Sequence, residues 1–233
     1  MPTKTSFWTA GRLTGLLLLI VTLTHMVGFQ ITSRFVHPND FAATSQAIAE
    51  AETLYRLGLL SYSASSLATI GLAIGFFALL APIHRMLALV VLCSRLFEAV
   101  LASSAWAIRF ALVDNHIQAN PLGPNGALAL HQILRGIANA GFDLAAIAMA
   151  IANVIGFWLL FKAASLPRIL SLIALSGGVV VLISSCLNLG WPHMAPASPL
   201  AFAITLLSQL AIGAWLFVFS SRLPEPLPAA NRS

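Results

Sequence analysis

The chain has 233 residues, 59% hydrophobic and 8% charged, with twelve Lys and Arg against seven Asp and Glu and a formal net charge of +5. Soluble domains carry about 25% charged residues, and with a mean hydropathy of +0.91 a water-soluble domain of this size is excluded. The basic residues are scattered singly, without clusters or interleaved aromatics, so a nucleic-acid partner is excluded too and the expected partner is the lipid bilayer.

Apolar runs of about 18 residues or more recur along the chain and predict one all-α transmembrane domain over 1–233. The first span, about 13–33, follows MPTKTSFWTAGR. Its apolar stretch is too long for a signal-peptide core and no A-x-A site follows it closely, so it is read as a retained helix. The second, about 54–80, ends at APIHRM, where Pro82 is expected to break the helix and His84 and Arg85 to face water. Its Ser61, Ser65, Ser66, Thr69, Gly71 and Gly75 form a small-residue face for close helix packing. The third span, about 86–110, holds Arg95 and Glu98, and the turn formers of DNHIQANPLGPNG follow it.

The next apolar segment, about 127–163, would extend roughly 55 Å as one helix, beyond the approximately 30 Å hydrocarbon core. It is expected to divide at Gly136 and Gly141 into a short amphipathic helix on the outer interface, about 127–140, and a span over about 142–163. Spans over about 167–189, with Gly177, Gly178, Ser184 and Ser185 as packing positions, and about 200–221 complete the chain before the tail LPEPLPAANRS. The expected fold is therefore an integral membrane bundle of six transmembrane helices plus the interfacial helix. Cys93 and Cys186 fall in separate apolar runs without C-x-x-C spacing and are expected as small core residues.

Loop charge sets the expected orientation. Lys4, Arg12, Arg85, Lys162, Arg168, Arg222 and Arg232 fall on the side of the termini, while Arg34, Arg56 and Arg109 at helix ends and the acidic Asp40, Glu50, Glu52 and Asp114 fall opposite. The positive-inside rule then puts both termini in the cytoplasm.

Arg95 and Glu98 carry the strongest chemical signal. A charge at the centre of a span costs about 2.5 to 3.5 kcal/mol on insertion scales, so both should face the bundle interior. At a spacing of three they share a helix face. They form either a self-neutralising packing pair or part of a polar site. His131, Arg135, Asn139 and Asp143 recur every four residues and form one polar stripe. The first three suit the wet face of an interfacial helix; Asp143, followed by LAAIAMAIA, suits it less well. His25, within the first span, is either a hydrogen-bonded packing residue or a further group in the same cavity. The candidate ligand-binding set is therefore Arg95, Glu98, Asp143, Arg135, His131, Asn139 and His25.

No H-x-x-x-H or Glu-x-x-His spacing supports a metal site, and no nucleophile elbow, Walker motif or dinucleotide fingerprint occurs, so no cofactor is indicated. The leading expectation is a polar cavity binding or moving a small amphiphile or ion. The alternatives are a membrane enzyme acting on a lipid or isoprenoid through a buried carboxyl at Glu98 or Asp143, and a structural or regulatory membrane partner with no cavity.

The order ATSQAIAEAETLYRLGLL, LALVVLCSRLFEAVL, GFD before a long apolar run, then LPRILSLIALSGG resembles the bacterial multi-pass membrane family catalogued as domain-of-unknown-function family 4386, from Gly11 to about Leu223. Its polar marks fall at Glu52, Arg56, Arg95, Glu98, Gly141, Phe142, Pro167 and Arg168; LSLI departs from it by lacking an expected glycine. The resemblance implies a helical fold in the bacterial cytoplasmic (inner) membrane and no agreed activity.

Overall fold

The computed structural model describes residues 4–37, 40–117, 123–191 and 199–220. Part of DNHIQANPLGPNG, the end of the expected sixth span and the Pro-rich tail lie outside them. The described residues form helices α1 (Lys4–Thr32), α2 (Phe41–Glu50), α3 (Glu52–Ile117), α4 (Gly123–Lys162), α5 (Arg168–Gly190) and α6 (Pro199–Phe219), with no strand among them. All but α2 are long and apolar enough to cross a membrane.

At 66 residues α3 would measure roughly 99 Å as a rod, but it is a hairpin. His84 is extended (φ −157°, ψ 97°), and across it Arg56 reaches Asp114 at 2.7 Å, Tyr62 stacks on Trp106 at 3.8 Å, and the Arg95 guanidinium lies 5.6 Å from the Phe76 ring. Each pair is centred within a residue or two of His84. Pro82 lacks an N–H and weakens the last turn, yet the break falls two residues later. There His84 Nδ1 accepts from Leu87 N at 3.3 Å and caps the second arm. His84 and Arg85 are exposed, as expected.

The division expected at Gly136 and Gly141 is absent, and so is a separate interfacial helix over 127–140: α4 is helical throughout its 40 residues. A Cβ at Gly136 would meet nothing within 4 Å, and Gly141 lets Ala105 approach, its own added Cβ lying 3.4 Å from that of Ala105. Neither glycine breaks the helix. The extra length is instead carried on protein: Asn115 Nδ2 donates to Ala127 O at 3.1 Å, and the His116 and His131 rings meet at 4.9 Å.

The sequence reading also left α2 unassigned. Asp40 caps it, accepting from Ala43 N at 2.9 Å, and Ile48 is fully buried with Tyr55, Tyr62, Trp106 and Val113 against the open end of the α3 hairpin. Only ten residues long, α2 gives too short a periodic signal to stand out beside transmembrane runs.

The helices close into a ring: α3 packs on α1 and α4, α4 on α5, α5 on α6, and α6 back on α1. Small residues make the close crossings, as the sequence implied. Gly75 faces Thr14, Gly177 faces Thr205 and Gly178 faces Val154, and Ser65 Oγ donates across to Val21 O at 2.9 Å. Cys93 and Cys186 are corrected from core to surface: both thiols are exposed on the outside of the ring. Leu67, Ile74, Val100 and Ile183 are exposed there too, an apolar exterior suited to lipid.

The turn from α4 to α5 follows helix-end geometry. Ala164 sits at φ 52°, Ala164 N donates to Phe161 O and Ser165 N to Leu160 O, so both orphan carbonyls are satisfied. Pro167 then starts α5.

Candidate functional site

The two ends of the ring differ. Near the His84 and Ala164 turns it is solid, filled by Leu18, Leu72, Phe76, Leu79, Leu80, Val91, Phe157, Leu160, Ile212 and Leu216. The other half holds a partly open cavity of about 600 Å³, to which α1, α3, α4, α5 and α6 all contribute. Of the seven candidate residues, His25, Arg95, Glu98, Asn139 and Asp143 line it. His131 and Arg135 do not; they line a smaller pocket of about 190 Å³ with Tyr55, Arg109 and His116, under α2. The four-residue stripe is thereby split. Positions four apart on an α-helix drift by about 40°, so over twelve residues the stripe turns by roughly a third of a circle.

Arg95 lies at the boundary between the solid and hollow halves and is only 1% exposed. Nη1 donates to Glu98 Oε2 at 2.9 Å, Nη2 donates to Asn153 Oδ1 on α4, and the guanidinium rests over Phe76. Arg95 Nε and Gln209 Nε2, both on cavity-lining side chains, are buried without a hydrogen-bond partner, as is Asn153 Nδ2. An acceptor atom in the cavity would complete Arg95 Nε and Gln209 Nε2, the two of these that lie on its lining side chains.

Antiparallel pairs fix the levels of the site. Arg109 donates to Asn139 Oδ1 at 2.7 Å, Trp106 meets Phe142 at 4.2 Å, and Arg95 meets Asn153. In each pair the two residue numbers total 248, so Asp143 stands level with Ala105 and Glu98 with Ala150. The two carboxylates are seven residues, or roughly 10 Å, apart along the helix axes. Asp143 accepts from Asn188 Nδ2 at 3.2 Å. His25 sets its ring edge-on to Tyr62 at 4.8 Å, and Tyr62, Trp106 and Phe142 form a continuous aromatic wall at the level of Asp143.

Sequence reasoning missed Asn153, Asn188 and Gln209. Each is an amide inside an apolar run, and a polar side chain within a span marks a bundle interior as an ion does. Among the described residues no group of three or more His, Cys, Asp and Glu is placed to hold a metal ion.

No curated protein and no solved structure matches the chain. A family profile described as a domain of unknown function, DUF4386, matches residues 13–219. With that match and its apolar helices, the chain is a multi-pass membrane protein of the DUF4386 family.

Proposed function

We propose that the protein binds a small amphiphile in the cavity between its helices, and that each arm of α3 is a separate pass, giving six passes with both termini cytoplasmic. The carrying observation is the cavity of about 600 Å³, with polar side chains of α1, α3, α4, α5 and α6 on an otherwise apolar lining. Clefts of about 300 to 1,000 Å³ with a few convergent polar groups are the usual form of small-ligand sites. The apolar core beneath Arg95 closes one end, which favours a binding site over an open conduit.

Thermal melting with a panel of cationic, neutral, zwitterionic and anionic short-chain amphiphiles tests this reading. At least one class should raise the melting temperature, and Ala102→Phe, which fills the cavity from its wall, should remove the effect. No stabilisation by any class, or stabilisation unchanged in Ala102→Phe, would end it. Catalysis through Glu98 or Asp143 is the second reading, because both acids line the cavity; turnover of a lipid extract that is lost in Glu98→Gln would select it.

A further inference from the structure

Resting on that reading, we infer that the ligand is an organic cation, an ammonium with an apolar body, and that Asp143 is its counter-ion. The cavity lining holds two carboxylates and one guanidinium, with histidine counted neutral. Arg95 and Glu98 neutralise each other at 2.9 Å in the deep part. Asp143, roughly 10 Å away along the axes, has no ion pair among the described residues and receives only the neutral amide of Asn188. Of the charges lining the cavity, its carboxylate is the one left over.

Its surroundings strengthen the preference. Trp106 and Phe142 stand at the same level and Ala145 and Ala146 continue the wall below. In such a low-dielectric setting a single unit charge attracts far more strongly than in water, and aromatic rings add cation–π attraction. The small side chains leave room beside Asp143 for an apolar body. Two influences oppose it: Arg109, which lies outside the cavity in the smaller pocket, tied to Asn139 and 5.7 Å from the Phe142 ring, and the unpartnered donors Arg95 Nε and Gln209 Nε2 in the lining, which call for an acceptor.

The test compares three probes of one chain length on the full chain in nanodiscs: an alkyltrimethylammonium, its neutral tert-butyl isostere and the alkyl sulfate. Binding is read by quenching or shift of tryptophan fluorescence. The ammonium should bind about tenfold or more tighter than the isostere, a difference of about 1.4 kcal/mol. Asp143→Asn should erase the difference while leaving isostere binding intact, and Asp143→Glu should restore part of it. Equal binding of ammonium and isostere, or a preference for the sulfate, would overturn the inference while the cavity reading stands. Binding of none of the three would overturn both. A preference for ammonium that persists in Asp143→Asn would also overturn it, since the counter-ion would then lie elsewhere.

Discussion

Asn153 Oδ1 on α4 accepts from Arg95 Nη2 on α3, so the buried ion pair of Arg95 and Glu98 is a three-residue network that ties two helices together. Removing either ion strands charge, and removing both ions strands only a neutral amide.

That network sets an order of stability. Arg95→Leu and Glu98→Leu alone should each cost about 3 to 5 kcal/mol, because each leaves an uncompensated buried charge. The double variant removes both charges but leaves Asn153 without its donor, an unsatisfied group costing about 1 to 3 kcal/mol. It should melt between the singles and the parent. Adding Asn153→Leu should bring melting in detergent to the parent's level or above it. A double variant already at the parent's level would reduce Asn153 to a bystander.

Two glycines separate crossing from hinge. A Cβ at Gly15 would lie 2.5 Å from Phe217 N and 2.7 Å from Gly213 O, both backbone atoms, so α1 and α6 must part to admit it. Gly15→Ala should cost about 1 to 3 kcal/mol. At Gly136, where a Cβ meets nothing, Gly136→Ala should gain up to about 1 kcal/mol from helix propensity. Thermal melts of the two variants should move in opposite directions; a loss at Gly136 would restore the hinge there.

The turn after α4 offers a simple gain. Ala164 occupies the left-handed region at φ 52°, which costs a residue with a Cβ about 1 to 2 kcal/mol and costs glycine little. Part of that is returned as entropy in the unfolded chain. Ala164→Gly should therefore raise stability by about 0.5 to 1 kcal/mol, read as a higher melting temperature; an unchanged or lower value would contradict the strain.

Topology is open to cysteine labelling. Cys93 and Cys186 are exposed on the outside of the ring and must first be replaced. In that background, Gln118→Cys should react with an impermeant maleimide from outside intact cells. Ala164→Cys should react only after permeabilisation, and the reverse pattern would invert the orientation.

The helices were legible in the sequence because lipid imposes a strong length-and-hydropathy rule: α5 and α6 begin within a residue of their expected starts, at Arg168 and Pro199. The turn at His84 was legible through Pro82 and the charge of APIHRM. The fate of 127–140 was not. Its amphipathic pattern describes which face is polar, yet that face meets α2 and the end of α3 through His116 and Arg109, contacts that no local period encodes. At the site, Arg95 and Glu98 stood out because charges are rare in apolar runs. Asn153 and Gln209 did not, because a single amide shifts a hydropathy window little, although leaving it unpaired in the interior still has a cost. The separation of His131 and Arg135 from Asp143 was legible in principle, since the drift of about 40° per four residues turns the stripe by roughly a third of a circle, but reading the four as one stripe overlooked it.

The solid apolar half beneath Arg95 gives the cavity a floor. On the binding proposed above, a molecule that settles on it leaves by the route it came. Net movement across the membrane would require the packed side chains of Leu72, Phe76, Leu79, Phe157 and Ile212 to come apart.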